Sequence, residues 1–323
     1  MLIGLTYDLK DDYLRAGLSR EEVAEFDCAE TIQALEDAIR AAGHATERIG
    51  NFKALVNAVA SGRRWDLVFN IAEGVKGLAR EAEVPALLEA YGIPHTFSGA
   101  DLMALSLNKA ATDAVVRAAG VPTADFFLVR DESDAARMPL PYPVFVKPVA
   151  EGTSKGIDAH SLVHNAGELR AQCAALLRRF RQPVLVETYL PGREFTVGIL
   201  GSGKNARVLG VAEILLGEKA EQEAYTYSNK QLYEDRVRYA LADAPEAADV
   251  ALRAWAALDC LDAGRVDVRL DAAGRARFIE VNPLAGLNPD YSDLPILCRL
   301  AGFPYQELIG GILASAAARA GLR

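Results

Sequence analysis

The sequence predicts an α/β protein opening on a doubly wound block, and three features predict it. Apolar strand-like runs alternate with amphipathic helical stretches through residues 1–100. A loop of glycines and hydroxyls, Glu151-Gly152-Thr153-Ser154-Lys155-Gly156, lies between two strand-like segments. Late in the chain, Gly264-Arg265-Val266-Asp267-Val268 and Phe278-Ile279-Glu280-Val281-Asn282 flank a turn at Asp271-Ala272-Ala273-Gly274. With 323 residues, 51% of them hydrophobic, the chain has enough apolar material for two or three packed domains.

The first block opens with a buried strand over 2–7, followed by an amphipathic helix over 29–42 that Gly43 ends. A second strand over 66–71 precedes a helix over 82–90 closed by Gly92. In doubly wound sheets ligands gather at the carboxyl ends of strands. Here those are the loops after Tyr7 and Ile71, which put Glu73, Gly74, Arg80 and Glu81 within reach; an ordinary solvated loop explains the same charges equally well.

From about residue 102 a helix carrying Lys109 leads to strands over 126–129 and 143–148. Lys147 ends the latter, and the loop 151–156 follows before a strand-like stretch over 157–162. Backbone N–H groups of such a loop can wrap an anion, with Lys147 supplying fixed positive charge, although a hairpin turn also favours glycine. The basic helix over 169–181 reads as a solvated one. Strands then surround the rigid Pro191-Gly192 turn, with Glu187 and Glu194 placed to meet the hydroxyls and amine of a nucleoside. The polar segment 217–236, with Tyr225, Tyr227, Lys230 and Tyr233, has the composition of a lid.

The late hairpin is the most informative element. Pairing about Ala273-Gly274 sets Asp267 opposite Glu280 and Arg265 opposite Asn282, with all four side chains on one face. Val266, Val268, Phe278, Ile279 and Val281 suggest that the other face is covered. Two carboxylates and an amide oxygen are hard ligands suited to Mg²⁺, which completes its shell with water and substrate phosphates. A cross-strand salt bridge is the competing reading, weakened because opposed acids repel without a cation.

Two motifs mislead. Gly198-Ile199-Leu200-Gly201-Ser202-Gly203-Lys204-Asn205 nearly matches a P-loop, but Asn205 replaces the required hydroxyl and a strand follows, so a hairpin turn is expected. His160 and His164 have helical ligand spacing but fall on a strand-like segment and are expected at the surface.

The formal charge of −9 argues against nucleic acid as principal partner. Four dispersed cysteines, with no Cys-x-x-Cys, imply neither zinc site nor disulfide framework. With no basic apolar leader and no membrane-length apolar run, a cytoplasmic protein is expected.

In this order the motifs resemble those of the ATP-grasp superfamily and, within it, the D-alanine:D-alanine ligase family. The likeness rests on Asn108-Lys109, Val146-Lys147-Pro148, Glu151-Gly152-Thr153-Ser154, Glu187 to Thr196, and the late hairpin, and runs from about Ala34 to Leu313. It implies an ATP-grasp fold behind an N-terminal Rossmann-like domain: a substrate domain over 1–103, a central subdomain over 104–186, and a C-terminal subdomain over 187–323 with the metal site and lid. By resemblance, Lys109 and Lys147 contact ATP phosphates, and Gly152, Thr153, Ser154 and Gly156 belong to a loop closing over them. Glu187, Tyr189 and Leu190 flank the adenine and Glu194 the ribose. Asp267, Glu280 and Asn282 match Mg²⁺ ligands, with Mn²⁺ as a substitute. Arg265 matches the arginine facing acyl-phosphate and tetrahedral intermediates, Lys230 the lid lysine near the γ-phosphate, and Thr153 the loop hydroxyl.

The departures fall where substrates bind. The family's opening Gly-Gly-x-Ser-x-Glu is here Gly4-Leu5-Thr6-Tyr7-Asp8-Leu9-Lys10, and its histidine-glycine motif is Ala72-Glu73-Gly74. The tyrosine expected after Lys230 is Gln231, and the loop serine is Thr153. Where the family has a Thr-x-Pro-Gly-Met-Thr run ending in Ser-Leu, this chain has Pro283 through Leu294, including Tyr291, Ser292 and Asp293. Glu73, Arg80, Tyr291 and Ser292 are therefore candidate substrate residues. The expectation is a ligase joining amino acids or similar metabolites through an acyl phosphate, with a homodimer as the assembly considered. An authentic D-alanine:D-alanine ligase and a non-catalytic nucleotide sensor are the alternatives.

Overall fold

The computed structural model describes residues 1–217 and 237–322. The expected lid, with Lys230, lies outside the described residues except for Gly217.

The N-terminal sheet contains β1 (Leu2–Tyr7), with α1 (Lys10–Arg15) and α2 (Ala29–Ala41) between it and β2 (Ala45–Gly50). After α3 (Phe52–Ala60) comes β3 (Leu67–Ile71), and α4 (Glu83–Ala90) completes the block. The strand order β2-β1-β3 is parallel throughout, as alternating strands and helices require. Ile32, Leu35, Ala38 and Ile39 recur at helical spacing and form the buried stripe of α2.

The single helix expected around Lys109 is two helices, α5 (Ala100–Leu107) and α6 (Lys109–Ala118). Asn108 separates them by leaving helical geometry and accepting from the Ala111 N–H at 3.2 Å, an N-cap that outcompetes helix continuation. The break sets Lys109 at the start of α6, where its backbone N–H is bound by Val149 O at 3.0 Å.

The middle sheet has the order β4-β7-β5-β6, formed by β4 (Phe126–Val129), β5 (Val144–Pro148), β6 (Leu162–Val163) and, after α7 (Ala166–Phe180), β7 (Val184–Thr188). The expected strand over 157–162 is reduced to β6. Asp158 and Ser161 close a turn instead, the Asp158 N–H donating to Ser161 Oγ at 3.1 Å and the Ser161 N–H to Asp158 O at 3.0 Å. His160 and His164 are exposed, as expected.

The third sheet, of order β10-β9-β8-β11-β12, is antiparallel and comprises β8 (Glu194–Leu200), β9 (Arg207–Leu216), β10 (Val237–Leu241), β11 (Ala263–Leu270) and β12 (Ala276–Asn282). Between β10 and β11, α8 (Pro245–Ala257) covers its apolar face. The P-loop-like stretch forms the end of β8 and a hairpin turn, with Lys204 exposed. The chain ends in α9 (Asp293–Leu300) and α10 (Tyr305–Arg319). Leu294, Leu308 and Ile312 from these helices share one core with Ile3, Leu5 and Phe69, so the carboxyl-terminal helices clamp the first sheet onto the third.

The β11–β12 register is the expected one at the site: Arg265 pairs with Asn282 and Asp267 with Glu280. It depends on a β-bulge, because Val268 pairs with Phe278 and leaves Ile279 extra. Without that bulge Asp267 would face Ile279. The bulge also corrects one expectation: Phe278 and Val281 enter the core, whereas Ile279 lines the cavity described below.

Gly264 shows how tightly this hairpin is backed. A Cβ there would lie 2.5 Å from Asn282 O and 2.9 Å from the Trp255 ring. Gly264→Ala is expected to lower the unfolding free energy by about 1–3 kcal/mol, as overpacking does. An unchanged denaturant midpoint would show that the strand yields there at no cost.

Candidate active site

A cavity of about 420 Å³ opens between the two antiparallel sheets and is closed on one side by the N-terminal block. Ion pairs run along it in sequence. Lys147, the penultimate residue of β5, meets Glu187 of β7 at 2.6 Å, both side chains more than nine-tenths buried. Burial opposes the Lys147 charge, but the Glu187 and Glu280 carboxylates outweigh it and hold the ammonium above the usual lysine range. Lys109 Nζ is 3.2 Å from Glu280 and donates to Glu151 O at 2.7 Å. Arg265 Nη1 donates to both oxygens of Asp267, at 2.6 and 2.8 Å, and to Thr196 Oγ1 at 3.2 Å. Its Nη2 lies 3.3 Å from Asp293, which accepts from the Tyr239 hydroxyl at 2.6 Å.

Most of the expected site residues line this one cavity: Lys109, Lys147, Gly152, Thr153, Ser154, Glu187, Tyr189, Leu190, Glu194, Arg265, Asp267, Glu280 and Asn282. Glu73, Tyr291 and Ser292 line it as well. Gly156 does not; it turns the loop at φ +78° where a Cβ would strike Pro148 and the Phe180 ring. Arg80 also stands behind the wall. Its guanidinium reaches Glu25 at 3.1 Å and Ala150 O at 3.3 Å, so it is committed to a buried ion network rather than to the cavity. Ser292 Oγ accepts from the Asn288 N–H at 3.0 Å, and Tyr291 OH lies 3.5 Å from Cys28 Sγ. Glu194 is paired with Arg269 at 3.2 Å, yet burial pushes its carboxyl up.

The loop from Ala150 to Gly156 carries backbone strain. Thr153 and Ser154 adopt φ of 50° and 55°, and a β-branched residue in the left-handed region is an outlier that surrounding structure must enforce. The enforcement is visible: Lys155 lies 3.1 Å from both Glu25 and Glu151. Burial would raise Glu25, but Arg80 and Lys155 hold it below the ordinary glutamate range. Glu25 was not legible in the sequence, since it is 55 residues from Arg80 and 130 from Lys155 and belongs to no motif.

Other carboxyls at the N-terminal side are driven the opposite way. Burial pushes Asp27 and Glu81 up to about 7, against the pull of Lys10 on the first and of Arg80 on the second. Glu73 is raised well above its usual value by burial and the neighbouring Glu81 and Glu25 charges.

Asp113 of α6 is another buried acid that sequence reading missed, and its Oδ2 has no hydrogen-bond partner among the described residues. Burial and the Glu187 carboxylate raise it to about 8 from an ordinary 3.8. Below about pH 4 it is protonated folded or unfolded; as pH climbs toward 8 the unfolded chain ionises it freely and the folded chain resists. The wild type should therefore lose stability across that window relative to Asp113→Asn. Parallel unfolding curves for the two proteins at every pH would remove Asp113 from this role.

Among the described residues no group of three or more histidine, cysteine or carboxylate side chains is gathered as a metal site. The hairpin nevertheless offers two opposed carboxylates and an amide on one face. Positive charge there is supplied by Arg265 and Lys109, while the Asn282 amide nitrogen donates to Asp267 at 3.3 Å. Hard oxygen donors with opposed like charges fit a divalent cation, which would replace those contacts.

Two antiparallel sheets with this cavity between them, set beside a parallel N-terminal sheet, define an ATP-grasp protein. The fold superimposes on the crystal structure of D-alanine–D-alanine ligase from Bacillus anthracis complexed with ATP, with a TM-score of 0.74, 19% identity and 99% of each chain covered. A family model described as the D-ala D-ala ligase C-terminus matches residues 115–314. D-alanine–D-alanine ligase of Gluconobacter oxydans is 34% identical over 89% of this chain and 93% of its own. The Bordetella pertussis enzyme of the same name is 35% identical over 83% of each. The chain belongs to the D-alanine–D-alanine ligase family, ATP-dependent ligases that form carbon–nitrogen bonds. No helix among the described residues is long and apolar enough to cross a membrane.

Proposed function

We propose that this protein is a Mg²⁺-requiring ligase that joins the carboxylate of one amino-acid-like substrate to the amine of another through an acyl phosphate. The observation that carries the reading is the succession of paired charges, Lys147–Glu187, Lys109–Glu280 and Arg265–Asp267, within one cavity. A carboxylate is a poor acyl donor until its leaving oxygen is phosphorylated. The protein's task is therefore to hold donor and γ-phosphate together and neutralise charge.

In this reading Lys109 and Lys147 hold phosphates, the strained loop bearing Gly152, Thr153 and Ser154 covers them, and Glu187, Tyr189, Leu190 and Glu194 take the nucleoside. Asp267, Glu280 and Asn282 would hold Mg²⁺, which when bound screens the phosphate charge. Arg265 faces the oxygen that gains charge as the amine attacks the acyl carbon; the amine loses its proton and inorganic phosphate leaves. Lys230, outside the described residues, keeps the role that the resemblance implies, near the γ-phosphate. We also propose the three-part division at 103/104 and 186/187, the second boundary falling inside β7, and a cytoplasmic setting, where ATP is abundant.

The altered opening segment and the acids Glu73, Glu81 and Asp27 favour a donor other than D-alanine. The named relatives favour the second reading, authentic D-alanine:D-alanine ligation. Phosphate release across L- and D-amino acids with Mg-ATP, followed by mass spectrometry of products, separates the two. Little release with D-alanine alone and a ligated product from another pair is expected. D-alanyl-D-alanine as sole product, with millimolar or better apparent affinity for D-alanine, would restore the second reading.

A further inference from the structure

We infer that Asp293 sets acceptor choice, directing the site toward an amine that carries no carboxylate beside its nucleophilic nitrogen. The inference rests on the ligase reading above and names one of its substrates more closely.

Arg265 is bracketed by two carboxylates, Asp267 at 2.6 Å and Asp293 at 3.3 Å, and the Arg265 and Asp293 side chains are about nine-tenths buried. Asp293 is held from two further directions. The Tyr239 hydroxyl donates to it at 2.6 Å, and it begins α9, where the helix dipole favours a negative charge. It also lines the cavity. A cation at the hairpin would draw Asp267 away from Arg265 and leave Asp293 as the counter-ion of the guanidinium.

An acceptor nitrogen must approach the acyl carbon whose oxygen Arg265 faces. A carboxylate one carbon from that nitrogen would come to the same guanidinium and meet Asp293 there. Like charges forced together in a buried site are strongly disfavoured. An amide, a hydroxyl or a second ammonium in that place can instead donate to Asp293. Lys10, which also lines the cavity, donates its backbone N–H to Asp27 O at 2.9 Å and acts electrostatically on the Asp27 carboxyl.

The test uses the whole enzyme with Mg-ATP. Hydroxylamine first traps the activated donor as a hydroxamate and so identifies a donor without reference to any acceptor. With that donor, acceptors are supplied as matched pairs, an α-amino acid against its primary amide and its amino alcohol. The uncharged members are expected to exceed the acid in kcat/KM by about tenfold or more. Asp293→Asn should cut that ratio about tenfold, chiefly through a lower KM for the acid, whereas simple damage to the fold would slow both members alike. A wild type that uses the acid as well as its amide, or a ratio that Asp293→Asn leaves unchanged, would overturn the inference alone. Absence of hydroxamate with every carboxylate would overturn the ligase reading and this inference with it.

Discussion

Glu280→Ala is expected to reduce ATP turnover by about a thousandfold or more at saturating Mg²⁺, a loss of ~4 kcal/mol of transition-state stabilisation. The chain should remain folded. Glu280 is opposed to Asp267 through the bulge at Ile279 and its side chain is 29% exposed, so truncation leaves the hairpin core of Val266, Phe278 and Val281 intact. What disappears is one of two carboxylates that together suit a divalent cation, and with it the partner of Lys109 at 3.2 Å. Steady-state phosphate release and a urea unfolding curve on the same preparation separate the two effects. Wild-type turnover in this variant would sink the metal assignment.

Lys147→Ala should have the larger effect on stability. The Lys147–Glu187 pair is buried on both sides at 2.6 Å, and removing the cation strands a carboxylate between β4 and β5, next to the already raised Asp113. Breaking such a pair costs about 3–5 kcal/mol, so the urea midpoint should fall sharply near pH 7.5. ATP binding, followed by calorimetry, should weaken as well. An unchanged affinity for ATP would mean that the lysine is only structural.

The hairpin was readable from sequence because its two signals agree: opposed polar side chains at alternate positions and valines between them. Even so, the register obtained by pairing about Ala273-Gly274 holds only beyond the bulge; nearer the turn the strands are offset by one residue, and Ile279 lies in the cavity instead of the core. Periodicity cannot reveal a bulge, since it is itself a break in period. The helix break at Asn108 was hidden because its capping bond competes with a helix-compatible apolar pattern. The strand expected over 157–162 yielded to turn bonds between Asp158 and Ser161.

The long-range pairings were the least legible. Glu25 reaches Lys155 only after the N-terminal block docks on the middle sheet, and Asp293 reaches Arg265 only because α9 packs under the third sheet. No local spacing encodes either contact. Residues whose position is fixed within one loop or hairpin, such as Thr153, Asp267 and Glu280, could be placed from local pattern, whereas the positions of Glu25 and Asp293 depend on how the blocks meet.

The central claim is that a carboxylate is activated by phosphoryl transfer in this cavity. Oxygen-18 in the donor carboxylate tests it most directly. If an acyl phosphate forms and the amine displaces phosphate, one labelled oxygen must leave with the inorganic phosphate, alongside ADP. The predicted result is stoichiometric transfer of one label per product molecule, lost in Glu280→Ala. Unlabelled phosphate, or label appearing in AMP, would contradict the account.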